Sequence, residues 1–129
     1  MVCVVDTHTL VWYLTDSPKL GRSAAEALEQ SDTELIIPTI VLAELKYLHQ
    51  RRRIPLSLVL VRRMLEADER CVFYPLTDQV VDLLPLHLEM HDAIICATAM
   101  LHEKSLGQAV PVLTRDEAIA GSGLVRVIW

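Results

Sequence analysis

Residues 2–5, Val-Cys-Val-Val, form an unbroken apolar run that is β-branched except at Cys3. A strand with one wet face alternates apolar and polar side chains. A strand without alternation is covered on both faces, and such strands belong chiefly to parallel sheets. The run stops at a lone charge, Asp6, and apolar residues then resume through Leu14. A core strand of this kind directs the chain toward an α/β fold, with helices on both faces of a mostly parallel sheet. It also raises the question of why a carboxylate stands at its end.

The rest of the chain supplies the other elements in alternation. Thr7–Leu14 reads as a helix broken by Ser17–Gly21. Ser23 is expected to cap a second helix, with Glu26 completing a capping box. Glu34–Ile37 reads as a strand closed by Pro38. Thr39 is expected to cap a helix reaching about Arg52, and Pro55–Glu69 to form another. A short strand at Val72–Tyr74 precedes a helix over Thr77–Leu84, interrupted by Pro85. Asp92–Glu103 forms a helix rich in small residues, Val110–Leu113 a second apolar run, Glu117–Ala120 one turn, and Leu124–Ile128 a closing strand at an edge. There is no repeat, linker or low-complexity tract, so residues 1–129 are expected to form a single domain.

No apolar run is long enough for a membrane span, and no basic residue precedes the first apolar stretch as it would in a signal peptide. Three widely spaced cysteines in apolar surroundings read as buried thiols of a cytoplasmic protein. With 17 acids against 12 bases the net charge is −5, which gives no general attraction to a polyanion. The bases do cluster: Lys46, Arg51, Arg52, Arg53, Arg62 and Arg63 fall within 18 positions. They form either a solvated face or a phosphate-contacting rim.

Four acids stand where structure alone explains them poorly. Asp6 ends the first strand and Asp116 follows the run Val110–Leu113. Ligand sites of open parallel sheets gather beyond the carboxyl ends of strands, so these two could meet. Each could instead cap the turn behind it. Glu44 shares a helix face with Ile40 and Leu48, four residues before and after, so it falls in an apolar stripe. There it requires a cation, a donor network, a proton or a salt bridge to a distant Arg. Asp92 opens the small-residue helix and either caps it or is carried toward the sheet by Ala93, Ala97 and Ala99. His91 beside it is either a donor that supports that carboxylate or an exposed helix-start residue, the second being the preferred reading.

Carboxylates held about 5 Å apart at an effective dielectric near 20 repel by about 3 kcal/mol per pair. A cluster of four must take up protons or bind a hard divalent cation, Mg²⁺ or Mn²⁺ rather than zinc. Such an ion makes water acidic enough to attack phosphorus and stabilises the leaving oxygen, which amounts to phosphodiester hydrolysis. Thr7 and Thr114 are close enough in sequence to orient a carboxylate or a water.

Asp6 in VVDTHTLVWYL, Glu44 in IVLAELKYL, Asp92 in EMHDAIICATAM and Asp116 in LTRDEAI resemble the motifs of the PIN domain, and more narrowly of VapC-type toxins of toxin–antitoxin pairs. The likeness runs over essentially the whole chain. It implies a PIN-like α/β/α sandwich and a Mg²⁺- or Mn²⁺-dependent endoribonuclease. The acidic metal pocket would comprise Asp6, Glu44, Asp92 and Asp116, supported by the hydroxyl of Thr114. It also implies structured RNA such as tRNA or rRNA as substrate, a homodimer, and inhibition by a VapB-like antitoxin.

Other readings use the same residues differently. A non-catalytic binding module would keep the fold without cutting. A phosphatase with Asp6 as nucleophile would need a second Asp where His8 stands. Zinc on His87 and His91 lacks a nearby Cys and has Pro85 close before it. Leu56, Leu58, Val59, Leu60 and Val61 span more than one helix face and predict a dimer or antitoxin interface.

Overall fold

The computed structural model describes all residues from Met1 to Trp129. The opening apolar run is strand β1 (Val2–Val5), followed by α1 (Thr7–Leu14), α2 (Arg22–Glu29), β2 (Glu34–Pro38), α3 (Thr39–Gln50), α4 (Leu58–Glu66) and β3 (Cys71–Tyr74). Then come α5 (Asp78–Asp82), α6 (Met90–Leu106), β4 (Val112–Leu113), α7 (Glu117–Gly121) and β5 (Val127–Ile128). The five strands are all parallel, in the order β3-β2-β1-β4-β5.

The central position of β1 accounts for its composition. Cys3, Val4 and Val5 are fully buried, between Leu35 and Ile36 of β2 on one side and Val112 and Leu113 of β4 on the other. The chain leaves β1 toward β2 and β3, then returns across the sheet to β4. Right-handed crossovers therefore place α1–α4 on one face and α5–α7 on the opposite face. The strand order reverses between β1 and β4, and the crevice beyond their carboxyl ends is where such sheets bind ligands.

Helix α6 fixes that end of the sheet. Eight consecutive residues, Asp92–Ala99, are buried. A helix hidden on all sides needs small side chains to pass close to its neighbours, and Ala93, Cys96, Ala97, Thr98 and Ala99 provide them. It packs on β1, β2 and β4 and carries its first turn to the crevice. Gly107 closes it in the left-handed conformation, φ 68°, with its N–H bonded to Glu103 O at 2.9 Å.

Several boundaries differ from the sequence expectation. Ser23 does not cap α2; Gly21 occupies the cap position with no side-chain bond. Thr39 lies inside α3, whose cap is Pro38, and the helix stops at Gln50. The Pro55–Glu69 helix shortens to α4 because Ser57 Oγ accepts from Leu60 N–H at 3.2 Å and starts it there. Helix α6 begins two residues before Asp92, with Glu89 at its cap. The closing strand holds only Val127 and Ile128, at the edge as expected.

The apolar stretch of α4 is not one exposed face. Leu56 and Val61 are buried, whereas Val59 is 64% exposed and is joined outside by Leu60 and Met64. Of all glycines, only Gly21 is dictated by close approach. A β-carbon there would lie 2.7 Å from the backbone carbon and ring of Trp129. Gly21→Ala is therefore expected to destabilise the fold by about 1–3 kcal/mol, as overpacking does. Urea denaturation checks this through a lower midpoint at unchanged slope; an unchanged midpoint would show that Trp129 yields freely.

Candidate metal centre

Asp6 is the first residue beyond β1, and Thr114 the first beyond β4. Pairing of the two strands continues one step further, through Asp6 N–H to Leu113 O at 3.2 Å. This brings the buried Thr114 hydroxyl against the carboxylate: it donates to Asp6 Oδ2 at 2.5 Å. The Thr114 hydroxyl oxygen in turn accepts the N–H of Asp116 at 3.0 Å. One hydroxyl thus joins two motifs that lie at opposite ends of the chain. Asp6 Oδ1 accepts Thr7 N–H at 2.7 Å, and Asp116 Oδ1 accepts Ile119 N–H at 3.0 Å. Both acids therefore cap the helices behind them and still face the crevice. The Thr9 hydroxyl donates to Leu113 O at 2.8 Å and ties α1 to the end of β4. Thr7 orients Asp6 through its backbone; its own hydroxyl is buried with no partner.

The other two acids arrive from helices. Asp92 does not cap α6 but sits in its first turn, buried, two residues past the helix start. Glu44 projects from α3 at the margin of the apolar stripe, its side chain 26% exposed; the residues fully inside that stripe are Val41, Leu42 and Leu45. No Arg reaches it. Instead His91 Nε2 lies 3.5 Å from Glu44 Oε2 and 3.4 Å from Asp92 Oδ1. His91 is thus not a free helix-start residue: it bridges two acids from different helices and is charged against them when protonated.

No lysine or arginine forms a salt bridge with Asp6, Glu44, Asp92 or Asp116. The acids act on one another instead. Burial raises the Asp6 pKa above its ordinary value, against the bonds from Thr114 and Thr7, and Glu44 and Asp116 push it further up. Asp92 is raised to about 6, first by burial and then by Asp116, with Asp6 and Glu89 adding and His91 opposing. Beneath them the Cys96 thiol is pushed up to about 12, by burial and then by Asp92, Asp6 and Asp116, so it stays an inert protonated thiol.

The three ligand-type side chains that come within 4.8 Å of one another are Glu89, His91 and Asp92, rather than the four expected acids. Glu89 escaped the sequence reading although it stands three residues before Asp92, one helical turn away. The donor set is almost wholly carboxylate oxygen and short of countercharge; Asp92 is buried, Asp6, Glu44 and Asp116 are half-buried, and Glu89 is exposed. The set fits a hard divalent cation.

From this point a groove of about 970 Å³ runs outward along α1. Asp6, Asp116 and Glu117 stand in its wall with Lys19, Arg53 and Arg115. Of the basic cluster expected as a rim, only Arg53 lines it. Arg51 lies 5.5 Å over the Tyr47 ring, and Arg62 and Arg63 are on the exposed side of α4. Lys19 and Arg115 were not anticipated, although Arg115 directly precedes Asp116.

The PIN domain profile matches residues 3–121, and the chain belongs to that family. No curated protein sequence matches it. Among solved structures it is similar to a chain of a toxin–antitoxin complex from Klebsiella pneumoniae, at 22% identity and TM-score 0.63 over 95% of this chain and 94% of that one. VapBC2 from Rickettsia felis, crystallised with a DNA fragment from their promoter, gives 16% identity and TM-score 0.68 over 98% and 97%. FitAcB from Neisseria gonorrhoeae gives 18% and 0.60 over 98% and 96%.

The raised Asp92 pKa fixes a sign. The folded state holds this proton more tightly than the unfolded state, so the contribution to stability is present at low pH and is lost as pH rises through about 6. Asp68, lowered chiefly by its bonds from Arg70, acts oppositely but only below the ordinary carboxylate range. In EDTA the melting temperature is expected to rise as pH falls from 7.5 to 5, and Asp92→Asn to remove much of that rise. A wild-type profile that is flat or falls over that interval would contradict it.

Proposed function

We propose that this chain is a Mg²⁺- or Mn²⁺-dependent endoribonuclease and the toxin of a VapBC-like toxin–antitoxin pair. The observation that carries this reading is the gathering of Asp6, Glu44, Asp92 and Asp116 at the reversal point of the sheet with no lysine or arginine partner. Asp6, Asp92 and Asp116 would hold the ion, with Glu44 closing the set. When bound, the divalent cation supplies countercharge for these acids and polarises water and phosphate for hydrolysis.

The chain's own groups do the rest. Thr114 fixes the Asp6 carboxylate by donating to Oδ2 and holds Asp116 through its N–H, so two acids keep one relative orientation. Thr7 N–H occupies the other Asp6 oxygen. His91 Nε2, between Glu44 and Asp92, stands within reach of both carboxylates and would hold their relative position. Below about pH 6 a proton on Asp92 would compete with a cation held there, so cation binding would weaken as pH falls.

Cytoplasmic residence fits this role, and no helix is long and apolar enough to cross a membrane. Two stretches hold most of the exposed large apolar side chains, Val59, Leu60 and Met64 on α4 and Leu76, Val81, Leu86 and Met90 around α5, while Met1, Tyr47, Val72 and Leu106 stand exposed elsewhere. The two stretches are the surfaces we assign to a second copy of the chain and to a VapB-like antitoxin. The toxin–antitoxin complexes that share the fold support the antitoxin as a partner.

RNA cleavage by the purified chain in Mn²⁺, with EDTA and Asp92→Asn controls, tests the reaction. Cutting is expected in Mn²⁺ alone, with a loss of at least about 100-fold in Asp92→Asn. Thr114→Val, which keeps shape but removes the orienting hydroxyl, is expected to lose about 10–100-fold. Cutting that persists in EDTA would refute the reading.

A further inference from the structure

Hydrolysis at the acids leaves the groove beside them unexplained. His8 and Trp12 stand one turn apart on α1, their ring centroids 5.7 Å apart and their planes at 44°. The Arg115 guanidinium lies 4.8 Å over the Trp12 ring. Trp129 meets Trp12 edge-on at 5.6 Å and braces it from behind. Lys19 and Arg53 line the same groove, and none of its three cations forms a salt bridge with a carboxylate.

We infer that His8, Trp12 and Arg115 form a base-stacking platform for an unpaired stretch of RNA, whose phosphates are met by Lys19 and Arg53. This inference rests on the nuclease reading and narrows its substrate to single-stranded loops, bulges or ends. The chemistry is that of sequence-tolerant single-strand recognition. Every base has a π face that stacks on an aromatic ring or a guanidinium plane, while cations follow the backbone. A base paired within an A-form helix is already stacked on its neighbours and cannot reach such a wall. The platform and the acids share one groove, so a strand stacked on α1 is led toward Asp6 and Asp116.

The test measures binding and cutting separately. A short labelled single-stranded RNA, and a paired RNA duplex of the same length, are titrated in EDTA with wild type, Trp12→Ala, Trp12→Phe and Arg115→Gln. The single strand is then cleaved in Mn²⁺. Trp12→Ala is expected to weaken single-strand binding about tenfold or more, as the worth of one stacked base implies, and to leave duplex binding nearly unchanged. Trp12→Phe keeps most of the affinity, and Arg115→Gln loses several-fold. In cleavage the loss falls on KM rather than kcat. The pair Arg62→Ala and Arg63→Ala, outside the groove, changes neither binding nor cutting.

If Trp12→Ala fails to fold by circular dichroism, Trp12→Phe and the exposed Arg115→Gln carry the test. Single-strand affinity unchanged in Arg115→Gln then overturns the platform. Wild-type cutting that none of the groove variants alters overturns the platform and leaves the nuclease reading in place. Binding of the single strand by a wild type that does not cut in Mn²⁺ overturns the nuclease reading and leaves the platform. Groove variants that spare RNA binding but loosen a co-expressed partner protein assign the groove to that protein and overturn the platform.

Discussion

The pairing of β1 with β4 is the constraint on which the site depends. β1 has neighbours on both sides, and only the β4 side crosses the point where strand order reverses. The register Val5↔Leu113 sets Asp6 beside Thr114, the first residues past each strand. A slip of one residue would turn Val4 and Val5 to the opposite faces and move Asp6 away from the Thr114 hydroxyl. The same hydrophobic run that makes the core therefore also decides where the first acid stands. That answers why a carboxylate ends this strand: it caps α1 with one oxygen, accepts Thr114 with the other, and faces a crevice the topology must create.

Gathering acids at that crevice works against folding, and the surrounding structure offsets it with fixed donors rather than with cations. Thr7 N–H, the Thr114 hydroxyl and Ile119 N–H are each built into a helix start or a strand end, so they are present whenever the fold is. Asp92 receives no such backbone donor and is the acid whose pKa reaches about 6. The contrast between Asp6 and Asp92 is one of donors: both are desolvated, but Asp6 has two hydrogen bonds opposing the shift. A site arranged in this way leaves its acids under-neutralised, and a bound cation would relieve what the protein leaves uncompensated.

Much of the fold was legible because it rests on patterns internal to each segment. The unalternating run at Val2–Val5 implied a parallel core strand, and the small residues after Asp92 implied a helix passing through the interior. Both follow from packing geometry that a local sequence expresses. The misses depend on distant partners. Ser23 has capping chemistry, yet Gly21 stands at the cap, and residue 21 is a glycine because Trp129, more than a hundred residues later, lies where a β-carbon would be. His91 looked like a surface residue since nothing in its own helix reveals that Glu44 of α3 lies 3.5 Å away. Arg53 could not be told from Arg51 or Arg63 by composition; only the turn after α3 directs it into the groove.

The net charge of −5 seemed to argue against a nucleic-acid substrate, but net charge is the wrong measure at this length scale. At physiological ionic strength fields from exposed charges fade within about 8 Å, so a phosphate in the groove responds to its walls and little else. Those walls hold Lys19, Arg53 and Arg115 without salt-bridge partners, while the acids crowd one end. On the proposed nuclease reading a polyanion would be attracted along α1 and repelled at Asp6 and Asp116, and a divalent cation held there would reverse the sign. Ion and strand would then favour each other, because each would supply the countercharge that the other requires at that end of the groove. This coupling follows from where the charges sit on the fold, and a more basic protein without that separation would bind the strand but would lack the dependence on the ion.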